Sequence, residues 1–228
     1  GIREPLLATL DKYISESNAP VIAVNYSKND VKADGLSHGM YELLTGYLEN
    51  TRFASSLVSA EDIVVELRSV KTDEEIQRIT DAISETDTIF EEVSTFARIG
   101  TTEQQVYDFI QSYVDSHGFG YSWARAGDPI VNSGPNSMIG HGIPSADICL
   151  EPGHVFHIDL GIIRDGYSSD IQRCWYVATN VSEPIPDDVQ RAVVAINAAI
   201  TAGAATLKPG VMGWEVDKAA RDIIVAHG

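Results

Sequence analysis

An α+β fold is predicted by three features of the chain: two helical periods in series, a strand-rich stretch behind them, and a second helical pair at the end. The first helical period opens at Thr72, where Thr72 and Glu75 form a capping box that satisfies free N–H groups at a helix start. Ile76, Ile79, Ile83, Phe90 and Val93 then approximate helical spacing and predict a long amphipathic helix ending near Gly100. Thr101 and Gln104 read as a second capping box, opening a helix through Val106, Phe109, Ile110 and Tyr113 that stops at His117-Gly118. Strand signals dominate residues 128–178. Helical patterns return at 187–207 and, past the Lys208-Pro209-Gly210 breaker, along Val216, Ala219, Ala220, Ile223 and Ile224.

Residues 1–70 precede this block as a smaller mixed α/β segment. Pro5–Glu16 reads as a helix, Pro20–Tyr26 as a strand, and His38–Leu48 as a helix. Glu61–Val70, rich in β-branched residues, reads as a strand leading into a linker. The domain boundary is expected between residues 70 and 71.

Of the 228 residues, 44% are hydrophobic, enough for a packed core. No run approaches the roughly 18 apolar residues of a membrane span. No basic segment followed by an apolar run opens the chain, and a cytoplasmic location is expected. The formal net charge of -17 argues against nucleic acid and anionic membranes as partners, because like charges repel. The two cysteines, Cys149 and Cys174, are too few for a disulfide framework and are expected to be small buried side chains.

The stretch His154–Val177 carries the densest chemical signal. Asp165-Gly166 is a two-residue hairpin signal flanked by strand formers. Centring the turn there sets the register by counting: 163 faces 168, 161 faces 170, and 159 faces 172. Alternation then puts Asp159, Gly161, Asp170 and Gln172 on one face. Asp159 and Asp170 become diagonal neighbours, roughly 7–8 Å apart at the backbone. Gly161 leaves open space beside Asp170. Two converging carboxylates repel, and Asp159 lies in an apolar strand where an unpaired charge is costly. One or two divalent metal ions between them would resolve both problems. The competing reading pairs Asp159 with Arg173 or another cation and leaves Asp170 as a solvated turn residue. The shared face favours the metal.

His154 and His157 are three apart on a strand and so face opposite ways, unable to share an ion. His157 shares the Asp159 face and is a minor ligand candidate. Upstream, Gly134-Pro135-Asn136 and Gly142 mark a loop in which His141 stands between glycines. Histidine suits proton transfer near neutral pH.

Together these segments resemble the pita-bread superfamily of methionine aminopeptidase, aminopeptidase P, prolidase and creatinase. The Asp-x-Gly strand matches Asp159-Leu160-Gly161, the tyrosine turn matches Gly166-Tyr167, and the Ser-Asp-x-Thr-Arg strand matches Ser169-Asp170-Ile171-Gln172-Arg173 with Gln172 in place of threonine. The Gly-x-Asn and His-Gly patterns match Gly134-Pro135-Asn136 and His141-Gly142. Leu67-Arg68, Lys71 and Glu75-Ile76 match the family's entry to the fold, and Lys208-Pro209-Gly210 and Glu215-Val216-Asp217 match its later turn and helix. The Leu67-Arg68 and Lys71 join, with Ala33-Asp34-Gly35, points to the aminopeptidase P and prolidase branch.

The resemblance implies an α+β pita-bread fold with part of a small α/β N-terminal domain. It implies a Xaa-Pro aminopeptidase or dipeptidase working through a metal-activated water, on peptides with proline at the second position. Asp159 would chelate one metal, Asp170 would bridge both, and His141 would contact substrate and assist proton transfer. The cofactor would be two divalent ions, manganese foremost and cobalt or zinc less distinctively. A homodimer is expected. The family's three further ligands, a histidine and two glutamates, would follow Gly228, so the sequence is expected to be truncated at both ends. Apolar faces along 192–205 and 216–224 and one sheet edge should then be exposed, and the chain should be unstable or aggregate unless a partner supplies the missing strands. A metal-free creatinase-like hydrolase and a non-catalytic binding scaffold are the alternatives. The paired aspartates disfavour the first, and His141 together with them disfavours the second.

Overall fold

A computed structural model of the chain describes residues 1–14, 20–138 and 140–228. It divides into two compact units, Gly1–Ile76 and Gln77–Gly228.

The first unit contains α1 (Arg3–Tyr13), β1 (Ile22–Val24), α2 (His38–Leu48), β2 (Leu57–Ser59) and α3 (Glu61–Ser69). Strands β1 and β2 are parallel, Ile22 opposite Leu57, joined through α2 as a βαβ crossover. Ser37 caps α2 by accepting the Met40 N–H. Leu48 and Phe53 are buried here. The expected end of the first helix, Ser15 and Glu16, lies outside the described residues.

The expected strand at Glu61–Val70 is instead α3. Glu61 and Asp62 occupy its first turn and Arg68 its last, the charge order that complements a helix dipole. The Ser59 hydroxyl accepts the Glu61 N–H as the turn begins. These end signals outweigh the β-branched run, whose propensity is a weak prior.

The second unit takes in α4 (Asp73–Phe96) from Gln77 onward, then α5 (Glu103–His117), β3 (Gly120–Tyr121), β4 (Ile130–Ser133), β5 (Val155–Leu160), β6 (Ile162–Arg164), β7 (Tyr167–Ser168) and β8 (Ile171–Tyr176), then α6 (Asp187–Thr206) and α7 (Gly213–His227). The Thr72–Glu75 capping box opens α4 as expected. The second box sits one residue later than expected, on Thr102 and Gln105. Thr101 is held elsewhere: its carbonyl accepts the Leu150 N–H and its hydroxyl accepts the Arg98 N–H.

Two three-stranded antiparallel sheets share one continuous hairpin. Strands β4, β5 and β8 form one in that order, and β3, β6 and β7 form the other. Ile163 faces Ser168, and Asp159 faces Gln172, the register counted from the turn. Asp165 and Gly166 adopt φ of 50° and 82°, the doubly positive pair of a type I′ turn. One face of the longer sheet packs on α4 and α5. Ile89, Phe90, Val93, Val106, Ile110 and Val114 from the helices meet Val131, Phe156, Ile158, Leu160 and Ile162 from the strands. Alternation therefore turns Ile130, Asn132, His157, Asp159 and Gln172 to the opposite face.

Helices α6 and α7 pack against each other, with Gly203 close enough to the other helix that an added Cβ would touch Ala220 and Val216 at 3.7–3.8 Å. Val194 and Ile200 of α6 and Ile224 of α7 are exposed, as the sequence suggests. Among the described residues β8 pairs with β5 alone, leaving its other edge open. No helix among the described residues is long and apolar enough to cross a membrane.

Candidate metal site

The site forms where the hairpin passes from one sheet to the other. The break falls at Gly161, between β5 and β6. A Cβ on Gly161 would lie 2.6 Å from the Ser122 side chain and from the Ser169 carbonyl oxygen, so only glycine lets these segments close. The Gly161 N–H reaches Asp128 Oδ1 at 3.3 Å, and its carbonyl accepts the Ser122 N–H at 3.3 Å.

Asp159, two residues before the break, is 6% exposed. Its Oδ2 accepts the Gln172 side-chain amide at 2.9 Å, and its Oδ1 is buried with no hydrogen-bond partner. Arg173 lies on the other face, paired with Asp87 at 2.8 Å and over the Phe90 ring. The Asp159–Arg173 pairing is thereby excluded.

Asp170 is exposed, but its neighbour Ser169 is buried and pinned from three sides. The Ser169 N–H donates to the Ile162 carbonyl, and its hydroxyl accepts the Ile162 N–H at 3.0 Å. That hydroxyl also lies 2.7 Å from Thr86 Oγ1 on α4, and the Ser169 carbonyl accepts the Ser122 hydroxyl at 2.9 Å. These contacts fix the backbone from which Asp170 projects.

His141 is exposed on the loop between β4 and β5. Asn132, fully buried, fastens the next residue: its Oδ1 accepts the Gly142 N–H and its Nδ2 donates to the Gly142 carbonyl, each at 3.3 Å. A Cβ on Gly142 would meet Asn132 Nδ2 at 2.8 Å, which accounts for the glycine. His141, Asp159 and Asp170 all line one cleft of about 360 Å³, with Trp123, Pro129, Ile130, Ile143 and Pro144 as apolar walls.

The other candidates fall elsewhere. His157 is 7% exposed, with Nδ1 buried and unpartnered; it shares the Asp159 face but does not line the cleft. His154 meets Ser133 and Glu151 instead. Cys149 is half-buried, and Cys174 is exposed rather than buried, because it projects from β8 opposite His157 on the face away from the helices.

Three contributors escape a sequence reading. Asp128 is fully buried beneath the break, accepting N–H groups from Gly161, Ser122 and Trp123. Burial, with a lesser push from the Asp159 charge, raises its carboxyl to about 6. Glu103, fully buried at the start of α5, is likewise raised by burial. Asn132 is the third. The sequence signal for all three is an ordinary polar residue near a turn. What distinguishes them is burial against backbone donors remote in sequence.

Among the described residues no group of three or more His, Cys, Asp or Glu side chains is gathered to hold an ion. The family model described as metallopeptidase family M24 matches residues 77–228. The chain belongs to metallopeptidase family M24. The uncharacterized peptidase YqhT of Bacillus subtilis is 31% identical over 195 residues, covering 86% of this chain and 52% of that protein. The Xaa-Pro dipeptidase of Lactobacillus helveticus is 31% identical over 205 residues, covering 87% of this chain and 51% of its own. The X-Pro aminopeptidase of Thermotoga maritima superposes with a TM-score of 0.72 at 26% identity, covering 100% of this chain and 58% of that structure. The fold is thus the pita-bread fold of M24 peptidases, seen in part, and the chain spans about half the length of the curated relatives it matches. M24 membership implies divalent metal cofactors.

Proposed function

We propose that the whole protein is a metal-dependent peptidase that hydrolyses the bond preceding proline, as a Xaa-Pro aminopeptidase or dipeptidase. The observation that carries this reading is the unpartnered, buried Oδ1 of Asp159, in the cleft it shares with Asp170 and His141. A buried carboxylate oxygen without a donor is costly, and a cation is the ligand that would relieve it.

The donor chemistry fits. Asp159 would hold one divalent ion and Asp170 would bridge two. An oxygen-rich set suits manganese, with cobalt or zinc as alternatives. Such a pair, when bound, supplies an activated water and polarises the scissile carbonyl. The chain's own residues do the rest. Gln172 orients Asp159 by holding Oδ2, and Ser169 fixes the backbone of Asp170. His141 contacts the substrate from the loop and moves a proton through its ring. Trp123, Pro129 and Ile143 exclude water and receive an apolar peptide segment.

The test is metal content and Xaa-Pro peptide hydrolysis by the whole protein beside its Asp170→Ala variant. Two ions per chain, as the bridging role requires, and activity lost in the variant are expected. A parent with neither metal nor turnover would overturn the proposal and leave a peptide-binding scaffold.

A further inference from the structure

We propose that Glu103 is a positioning residue whose buried carboxylate closes the His141 loop by accepting a backbone N–H from each end of it, at Ser133 and Ser145. The inference rests on the proposed role of His141.

Glu103 is the first residue of α5 and is 0% exposed. Its Oε1 accepts the Ser133 N–H at 2.6 Å, and its Oε2 accepts the Ser145 N–H at 3.0 Å. Ser133 ends β4 and Ser145 lies four residues beyond His141, so the two bonds span residues 134–144. The next residue returns the grip, with the Gln104 N–H donating to the Ser145 carbonyl at 3.1 Å, and the Glu103 N–H donates to the Ile148 carbonyl at 3.0 Å.

An acidic residue at a helix start commonly sits in solvent, where it gains from the helix dipole without losing hydration. Glu103 gives up all of its hydration, a cost met only when the charge is fully hydrogen-bonded. The arrangement also needs a carboxylate specifically. Two backbone donors approach from opposite loop ends, and both require an acceptor. Glutamine offers one acceptor oxygen and would aim its amide donor at the other N–H. A shorter aspartate keeps both acceptors but loses reach.

His141 itself is exposed, so its placement depends on the backbone that carries it. That backbone is held at Gly142 by Asn132 and at its two ends by Glu103. Releasing one end leaves the loop tethered but lets the His141 ring drift, and an ångström of drift is enough to degrade proton transfer.

The decisive experiment is a double-mutant cycle in the whole protein, with Glu103→Gln made in the native and His141→Ala backgrounds and Glu103→Asp as the conservative variant. Amide hydrogen exchange across residues 133–145 is followed in each. Expected results are exchange about tenfold faster in the loop of Glu103→Gln, with α4 unchanged, and kcat/KM down about tenfold in the native background but less than about twofold in His141→Ala. Glu103→Asp should fall between native and Glu103→Gln. Equal losses in both backgrounds, or unchanged loop exchange, would overturn the proposal. If Glu103→Gln does not fold, Glu103→Asp carries the same cycle and is judged by the same two outcomes. If the native protein turns over no Xaa-Pro peptide, the peptidase reading fails separately. Loop exchange then decides alone whether Glu103 holds the loop, with unchanged exchange counting against it.

Discussion

The side-chain amide of Gln172 lies 2.9 Å from Asp159 Oδ2 across the β5–β8 ladder, while the buried Asp159 Oδ1 meets no donor. Half of the carboxylate is satisfied by the fold and half is not, and the proposed metal would take the unsatisfied half. A residue kept for binding at the expense of stability should show that trade when neutralised. Asp159→Asn is expected to stabilise the metal-free chain by about 1 kcal/mol, through removal of an incompletely solvated charge beside Asp128. The same change should abolish tight divalent-ion binding by the whole protein. Denaturant melts in chelator, set beside metal titrations, check both halves; a variant that is destabilised and still binds metal would contradict the account.

Ser169 invites the opposite expectation. It is buried, and its hydroxyl serves both the Ile162 N–H and Thr86. Ser169→Ala leaves the Ile162 N–H buried without an acceptor. A loss of about 2 kcal/mol is expected, measured by urea denaturation. In the whole protein the variant should also bind metal more weakly, because Asp170 follows directly on the loosened backbone. Full metal affinity at reduced stability would show that Asp170 is placed by something else.

The strand register around Asp159 and Ser169 is legible in the sequence, because a side-chain period of two needs one fixed point and Asp165-Gly166 provides it. The local pattern is weaker where tertiary contacts decide. Thr101-Thr102 and Gln104-Gln105 offer two frames for one capping box, and the Leu150 N–H on the Thr101 carbonyl with the Arg98 N–H on the Thr101 hydroxyl selects the later frame. At Ile63-Val64-Val65 the β-branched run suggests a strand, yet acidic residues at the start and Arg68 at the end favour the helix. The hairpin register singles out Asp159 and Asp170 as candidates, and the family motifs add His141 to them. Glu103, Asn132 and Asp128 stayed hidden because each acts on backbone groups that sequence spacing does not place nearby.

Asp128 predicts a pH dependence with a definite sign. Its carboxyl is raised in the folded chain from 3.8 to about 6, so the folded state holds the proton more tightly than the unfolded one. The stability from this group is fully present below about pH 4 and is lost as pH rises through about 6. The loss amounts to roughly 2–3 kcal/mol. Measured in chelator, the stability difference between the native chain and Asp128→Asn should therefore shrink by that amount from pH 4 to pH 7. Comparing the two chains cancels the other carboxylates. A difference that stays flat across this range would show that Asp128 does not titrate there.

Trp123 lines the same cleft as the carboxylates and is held by its indole N–H, which donates to the Gly127 carbonyl at 2.6 Å. A large ring fixed at one end makes a rigid apolar surface, suited to an apolar side chain or a proline ring of the bound peptide. Trp123→Ala removes that surface but leaves Asp159, Asp170 and His141 in place. In the whole protein KM for an apolar Xaa-Pro peptide is expected to rise about tenfold with little change in kcat, the mark of binding lost equally from ground and transition states. A polar Xaa residue should suffer less, since it gains less from the ring. Steady-state kinetics on a pair such as Leu-Pro and Ser-Pro peptides measure the contrast. Equal losses on both would assign Trp123 to the proline ring common to the two, and a fall in kcat alone would move its role from binding to chemistry.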